Sequence, residues 1–391
     1  MSIAMKKTKG RFVGNIECPV DPILSGIALA LLLFGSVMVG SASMETGARV
    51  YGNSLHLATI HHLYIVIGLI SFLFVLGLPI KIWGRFSWLF LFLSIFLLVA
   101  VLIPGVGKAV NGSTRWIQIG SINLQGSELV KLFFLVYLSK YLATRKEEIQ
   151  ESGISFVIPV ISLGLLVLLL LGQPDFGASI VLIVASATVI FLSGTPIRFF
   201  FPFAIFAFIF IMVFSVVRPY RIERIISFAD PWHDPFGSGY QLTQALIAFG
   251  RGEWFGLGLG NSIQKLFFLP EAHTDFIFSI VGEELGFVGA SVVVFLFFGL
   301  VIRGLSIGNL AMRQTMYFHA NLAYGLSIIL GVQAAINLGV NLGMLPTKGI
   351  TLPLISYGGN SLVVCLVMIA ILLRIEVETR NGTQKYGGSR V

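Results

Sequence analysis

The sequence has few charged residues for its length, and this shortage excludes a water-soluble fold. Only 11% of the 391 residues are Asp, Glu, Lys or Arg, against roughly a quarter in soluble domains. Such a chain cannot cover its surface with polar groups in water, so its solvent must be lipid. Lipid admits only helices or closed barrels. The apolar runs are long and continuous rather than alternating, which favours helices.

Cysteines and nucleotide-binding motifs are equally scarce. The two cysteines are Cys18, in the N-terminal tail, and Cys365, inside an apolar run, so we expect neither a disulfide nor thiol chemistry. No Walker motif occurs, and the glycine-rich run Gly256–Gly260 lacks the strand–turn–helix surroundings of a dinucleotide site. We therefore expect no nucleotide. In a chain of this kind the net charge of +8 points to membrane topology rather than to nucleic acid.

The apolar runs predict an all-α integral membrane protein with about ten transmembrane helices. A span needs about 20 mostly apolar residues, and the sequence offers such runs near 22–44, 58–79, 86–103, 127–143, 154–172, 177–194, 199–217, 276–302, 316–340 and 357–374. The chain then divides into an N-terminal tail 1–21, a single membrane domain 22–374 and a C-terminal tail 375–391.

Basic residues predict the orientation. Lysine and arginine concentrate in the two tails and in the loops on the same side of the predicted arrangement. The positive-inside rule places both termini in the cytoplasm. The one large loop, 218–275, lies between spans seven and eight and is then extracytoplasmic.

Two stretches of this loop, Arg218–Phe228 and Tyr240–Phe249, have the pattern of interfacial amphipathic helices. In the first, Arg218, Arg221 and Arg224 recur at a spacing of three. Two roles remain open for these arginines: they contact a lipid-linked phosphate, or they only anchor the loop to anionic headgroups. We therefore leave them outside the predicted active site.

Ionisable residues at membrane depth are costly, so each is a functional candidate. Glu128 and Lys131 begin the fourth span three residues apart and share a helix face, where they can pair. The alternative is a pair that only neutralises itself, although a lysine at this end opposes the helix dipole. Asp175, between spans five and six, is either functional or the N-cap of span six.

The segment Leu269–Asp275 leads directly into span eight and collects two carboxylates and an imidazole, His273. Asp275 is either an N-cap or a functional carboxylate. Glu283 and Glu284 follow at a depth of about 12 Å along a helix. Together these residues predict a carboxylate-lined cleft that opens outwards and is able to hold a base, with room for a divalent cation as an open alternative.

Longer motifs occur along nearly the whole chain, at Asn111–Trp116, Gln173–Asp175, Gly250–Trp254, Gly256–Ser262, Leu269–Asp275, Leu345–Gly349 and Pro353–Gly359. In these residues the sequence resembles the SEDS family of bacterial cell-wall polymerases. Asp230–Trp232, Gly250–Trp254 and Pro270–His273 resemble the cell-division type more than the elongation type. The resemblance agrees with the prediction of ten spans.

The resemblance implies a glycosyltransferase that polymerises lipid II into glycan strands at the outer face of the bacterial inner membrane, at the division septum. The acceptor's 4-hydroxyl attacks the anomeric carbon of the donor and expels undecaprenyl pyrophosphate. This reaction needs a base for the hydroxyl and positive charge for the leaving group. The implied partners are a class B penicillin-binding protein, which cross-links the strands, and other membrane proteins of the division complex.

The same resemblance assigns roles to the candidate residues. Asp275 is expected to be the catalytic base. Five further residues are expected to bind substrate: Arg115, Glu128, Lys131, Asp175 and His273. Among them, Lys131 and Arg115 are expected at the pyrophosphate, with Glu128 orienting Lys131. Mg²⁺ or another divalent cation is compatible with this chemistry, but the sequence identifies no metal ligands.

Two other functions suit parts of the pattern. A lipid II flippase or other polytopic transporter would also have intramembrane charges and broken spans, although the two halves of the chain show no inverted repeat. A scaffold that only recruits division proteins would tolerate Asp275→Ala. A polymerase would make glycan chains from lipid II in detergent, where no compartment exists to transport across.

Overall fold

The computed structural model describes residues 20–110, 113–120, 122–151, 153–216, 219–347 and 349–387. Their helices are α1 (Pro22–Tyr51), α2 (His56–Gly77), α3 (Ile80–Arg85), α4 (Ser87–Leu102), α5 (Gly126–Thr144), α6 (Lys146–Glu151), α7 (Ile154–Gly172), α8 (Phe176–Leu192), α9 (Ile197–Val216), α10 (Pro219–Ala229), α11 (Tyr240–Gly252), α12 (Ile277–Arg313), α13 (Tyr317–Asn341) and α14 (Gly359–Gly387). Of the residues that carried sequence predictions, Cys18, Asn111, Gly112, Arg218 and Lys348 lie outside the described part, as do residues 1–19 and 388–391 of the predicted tails.

The mostly helical membrane fold is confirmed. In the described part of the chain, six helices are long and apolar enough to cross a membrane by length and composition: α1, α2, α7, α9, α12 and α13. Helices α4 and α8 are also apolar but shorter. Large apolar side chains on the outer helices, such as Phe74 on α2 and Phe206 on α9, are exposed. Lipid is the solvent that such a surface requires.

Local sequence signals set the ends of the first helix. The side chain of Asp21 accepts a hydrogen bond from the backbone N–H of Leu24 at 2.7 Å, and Pro22 occupies the first helical position. Both features are typical of a helix start. At the other end Gly52 adopts φ +68°, the left-handed geometry that closes many helices.

Helix α13 forms the centre of the bundle, where it packs against α5, α8 and α12. Gly325 permits the close approach: a Cβ at this position would lie 2.9 Å from Leu135 of α5 and 3.0 Å from Val189 of α8. Small residues at such crossings are the usual means of helix packing in membranes. Because α13 touches all these helices, its polar side chains can reach several elements at once.

A three-stranded antiparallel sheet between α4 and α5 corrects the all-α prediction. Strand β1 (Gly107–Val110) pairs with β2 (Ser113–Ile119), which pairs with β3 (Ile122–Gln125). Gly120, which directly follows β2, has φ +61°, the left-handed geometry that tight hairpin turns favour. The prediction missed the sheet because it searched for apolar runs long enough to span a bilayer, and these strands are short.

The loop 218–275 contains both predicted helices, as α10 and α11. The final helix, α14, continues to Gly387, well past the predicted end of the membrane domain at residue 374. The ion pair of Arg374 with Glu378 (2.8 Å), one helical turn apart, supports this extension. The end of the apolar run at residue 374 is therefore not the end of the helix.

Candidate active site

A cavity of about 560 Å³ lies between the sheet, the starts of α5 and α8, helices α10 and α11, and the segment 347–361. It brings together five of the six residues that the sequence predicts for the site. Among the described residues, the charged side chains of its lining are those of Arg115, Glu128, Lys131, Asp175, Arg224, Glu271 and Asp275. A base and several cations therefore share one space, although they come from distant parts of the chain.

Asp275 lies in the turn that precedes α12, and its carboxylate is not the cap of that helix. The N-cap position belongs to Phe276, and no side chain caps there. The carboxylate instead faces Gly349, where a Cβ would lie 2.8 Å from Oδ2. The N-cap interpretation of Asp275 is therefore wrong, and the carboxylate faces the cavity.

The surroundings of Asp275 favour its protonated form. Burial is the main cause that raises the pKa of this carboxyl to about 7, and the negative charge of Glu271 adds to the rise. The positive charges of Arg115 and Arg224 act in the opposite direction. A pKa near the working pH is what general acid–base catalysis favours.

The raised pKa of Asp275 predicts a pH profile. A base must be deprotonated, so kcat/KM should rise about tenfold per pH unit below pH 7 and level off above it. Steady-state rates of the polymerisation that the resemblance implies, measured between about pH 5 and pH 9, would show this limb. A profile that is already flat from about pH 5 would mean that the reaction uses no base with this pKa.

Glu128 and Lys131 form a buried pair in the first turns of α5. The ammonium of Lys131 donates to Glu128 Oε1 and to Gln333 Oε1 of α13, both at 2.8 Å. Glu128 and Lys131 are nearly inaccessible to solvent, at 7% and 2% relative exposure. Their charges must therefore be compensated by partners within the protein rather than by water. The predicted pairing is present, and the third partner, Gln333, is a residue that the sequence analysis missed.

Arg115 and Asp175 meet at the other wall of the cavity. Nη1 of Arg115 lies 4.0 Å from Oδ1 of Asp175, and Nη2 donates to the carbonyl of Pro174 at 2.5 Å. Asp175 also accepts from the backbone N–H of Ala178 at 3.2 Å and so caps α8. The two interpretations of Asp175 are therefore compatible: it is an N-cap that also lines the cavity.

Arg224 belongs to the cavity although the sequence analysis left it out. Its Nη1 donates to the carbonyl of Thr347 at 3.0 Å, and its charge acts on the nearby carboxyl of Asp275. The signal that could have identified it was the spacing of the arginines on the amphipathic helix. The helical periodicity was visible, but the side of α10 that meets the cavity was not.

His273 is placed differently from the prediction. The described residues that line the cavity do not include His273. Its ring lies against Tyr357 at 5.5 Å, and its carbonyl accepts from the backbone N–H of Tyr357 at 3.0 Å. Burial lowers the pKa of His273, which is the expected effect of packing an imidazole against an aromatic ring. Its contacts hold the turn before α12 rather than reach the cavity.

Glu283 and Glu284 do not belong to the cavity, so the predicted cleft that included them is wrong. Glu284 pairs with Lys265 at 2.8 Å. Glu283 accepts from the backbone N–H groups of Ile263 and Gln264, both at 3.2 Å. These contacts hold the segment 262–265 against α12. Both glutamates lie more than two helical turns beyond Asp275 and have partners of their own.

Comparisons with known proteins agree with this fold and identify the family. Residues 23–381 match the family described as cell cycle protein, which comprises FtsW, RodA and SpoVE. A curated relative from Pseudomonas fluorescens, named probable peptidoglycan glycosyltransferase FtsW, is 50% identical over 92% of this chain and 88% of its own. A relative of the same name from Legionella pneumophila is 46% identical over 95% and 94% of the two chains.

Two solved structures show the same fold. The first comes from work titled "Structural coordination of polymerization and crosslinking by a peptidoglycan synthase complex"; it has a TM-score of 0.74 and 28% identity, covering 92% of this chain and 98% of that one. The second is the rod shape determining protein RodA of Thermus thermophilus, with a TM-score of 0.67 and 26% identity, covering 91% and 96%.

The fold and the charged cavity define a multi-pass membrane enzyme of the SEDS class. The chain belongs to the cell cycle protein family of FtsW, RodA and SpoVE. Within that family its relatives are of the division type, as the motifs predict. It is a glycosyltransferase of peptidoglycan synthesis, and the transporter alternative has no support from these relatives.

Proposed function

We propose that the chain polymerises lipid II into glycan strands and releases undecaprenyl pyrophosphate. The observation that carries this proposal is the presence of the Asp275 carboxylate in the same cavity as Lys131 and Arg115. A base and fixed cations are the two requirements for attack by a sugar hydroxyl on a glycosyl pyrophosphate.

The roles follow from the charges. Asp275 accepts the proton of the acceptor's 4-hydroxyl while the oxygen of that hydroxyl forms a bond to the anomeric carbon of the donor. The bond from that carbon to the pyrophosphate breaks, and negative charge develops on the leaving group. Lys131, held by Glu128, and Arg115 stabilise that charge, and we add Arg224 to the substrate-binding set. Asp175 keeps Arg115 at the wall of the cavity.

The proposed topology has ten spans, both termini in the cytoplasm and the loop 218–275 outside. It is supported by the coincidence of each of the ten predicted runs with a helix, although α5 and α14 are less apolar than the others. The tails 1–21 and 375–391 then flank one membrane domain, and α14 continues into the second tail. This topology puts the cavity at the outer face of the inner membrane, which we place at the division septum.

We propose that a divalent cation, Mg²⁺ or another, enters the site bound to the pyrophosphate of the substrate. The described residues include no group of three or more His, Cys, Asp or Glu side chains that could hold a metal ion. Mg²⁺ commonly binds substrate phosphates with only one or two carboxylates, and Glu128 and Asp175 line the same cavity as the cations. The pyrophosphate itself would be the main ligand.

The proposed partners are a class B penicillin-binding protein and other membrane proteins of the division complex. The support is the similar structure from the peptidoglycan synthase complex, whose title joins polymerisation with crosslinking. A polymerase that delivers uncrosslinked strands needs a transpeptidase nearby, so the association is also expected from the chemistry.

Lipid II supplied to the purified protein in detergent tests the function. We expect glycan chains that grow with time, in the absence of any other enzyme or with the transpeptidase partner added. A transporter would leave lipid II unchanged, because detergent offers no second compartment. No glycan product under either condition would reject the proposed activity.

A further inference from the structure

Three buried amide side chains lie on one face of α13 and hydrogen-bond to residues that line the cavity. Gln333, Asn337 and Asn341 follow each other at intervals of four residues, and each is at most 1% exposed. We call these three residues the amide row. Buried polar groups are costly in a membrane protein unless they are hydrogen-bonded. The partners of the amide row therefore show what it holds in place.

Asn337 connects the turn of Asp275 to the segment that faces it. Its Nδ2 donates to the backbone carbonyl of Asp275 at 2.8 Å and to that of Ile350 at 2.6 Å. Ile350 directly follows Gly349, against which the Asp275 carboxylate lies. A single amide thus fixes the carboxylate's own backbone and the backbone opposite the carboxylate.

Asn341 gives the same turn a second support. Its Nδ2 donates to the carbonyl of Asp275 at 2.9 Å, and its Oδ1 accepts from the backbone N–H and the hydroxyl of Ser279 at 3.1 and 2.8 Å. Ser279 is in the first turn of α12, and its N–H also donates to the carbonyl of Phe276 at 3.0 Å. Asn341 therefore joins the start of α12 and the turn of Asp275 to α13, without using the carboxylate of Asp275.

Gln333 holds the other functional group of the cavity. Its Oε1 accepts from the ammonium of Lys131 at 2.8 Å, and its Nε2 donates to the carbonyl of Thr351 at 3.2 Å. Gln333 and Asn337 are one helical turn apart, or about 6 Å along the axis. Helix α13 therefore provides the side chains that hold both the proposed base, Asp275, and the cation, Lys131.

We propose that the amide row positions Asp275 relative to Lys131, and that Asn337 is its central positioning residue. The proposal rests on the proposed function, because it assigns these residues to the same reaction. Asn337 touches neither the carboxylate nor the cavity, and it acts through the backbone of Asp275. Misplacement of a reacting group by about 1 Å can lower a rate by about 10²-fold.

The test compares Asn337→Leu with Asn321→Leu in purified full-length protein supplied with lipid II. Asn321 is a matched control, because it is also a buried asparagine of α13 and lies more than four helical turns from Asn337, outside the cavity lining. For Asn337→Leu we expect kcat to fall about 10- to 100-fold, with KM for lipid II within about threefold of wild type. Asn321→Leu should keep both constants.

A second variant, Asn337→Asp, preserves the size of the side chain and removes the donating amide, in case leucine prevents folding. It should show the same loss of kcat. A folded variant of either kind with kcat within about twofold of wild type would overturn the proposal, since the lost hydrogen bonds would then not matter for the rate. An equal loss of kcat in Asn321→Leu would also overturn the proposal. The same holds if both Asn337 variants fail to fold while Asn321→Leu folds.

The two levels of the argument can fail separately. If wild-type protein makes no glycan chains, or if Asp275→Asn remains active, the proposed function is wrong. If wild type is active and Asp275→Asn is not, but kcat is normal in the Asn337 variants, only the role of the amide row is wrong.

Discussion

Replacing Asp275 with asparagine should lower the rate of lipid II polymerisation by about 10²- to 10⁴-fold, the usual contribution of a general base. Asparagine keeps the size of the side chain but cannot accept the proton. The fold should persist, because Asn337 and Asn341 bond to the backbone carbonyl of Asp275 and the carboxylate caps no helix. Initial rates with purified protein in detergent measure the effect.

The matched control is Asp230→Asn, which makes the same substitution at an exposed position of the loop 218–275. This variant should polymerise at the wild-type rate. Thermal unfolding in detergent should give similar midpoints for both variants. A folded Asp275→Asn protein with near-normal activity would remove Asp275 from the mechanism and leave the cavity without its proposed base.

The positions of the helices could be predicted from hydrophobicity alone, but their ends could not. Apolar runs mark the part of a helix that needs lipid, whereas hydrogen bonds and ion pairs extend a helix beyond it. Helix α12 continues to Arg313, although its apolar run stops near residue 302. The sheet was missed for a related reason, since β2 and β3 are stabilised by pairing with each other rather than by long apolar runs.

The cavity was predictable where it uses charge. A charged residue in an apolar run is conspicuous, and this signal identified Glu128, Lys131 and Asp175. It could not show which charges meet, because partners come from distant loops. Glu283 and Glu284 are as conspicuous as Asp275, yet their partners lie in the segment 262–265 and at Ser41 and Arg251, away from the cavity.

The amide row was missed because amides are neutral and common. Its signal was nevertheless present in the sequence, as three polar residues at a spacing of four within an apolar run. Such a spacing places the three side chains on one helix face. Only the structure shows that Asn337 reaches the backbone of Asp275, because that contact joins residues 62 positions apart.

The second large effect is expected at Lys131, where single and double substitutions have different consequences. Lys131→Met should lose activity and also stability, because Glu128 would keep a buried charge without its partner, at a cost of about 3–5 kcal/mol. The double variant Glu128→Gln with Lys131→Met removes both charges and should recover much of the stability. Thermal unfolding in detergent would show this recovery.

Activity should not recover with stability in the double variant. If the ammonium stabilises the leaving pyrophosphate, its loss lowers kcat by about 10²- to 10³-fold whether or not Glu128 is charged. Lys131→Arg should not restore the rate, since a planar guanidinium does not fit the point between Glu128 and Gln333, each 2.8 Å from Nζ.

Lys140→Met, on the same helix but outside the cavity lining, is the matched control and should stay active. A double variant with normal kcat would reduce Lys131 to the neutralising partner of Glu128. Among the described lining residues, Arg115 and Arg224 would then remain as cations to meet the pyrophosphate.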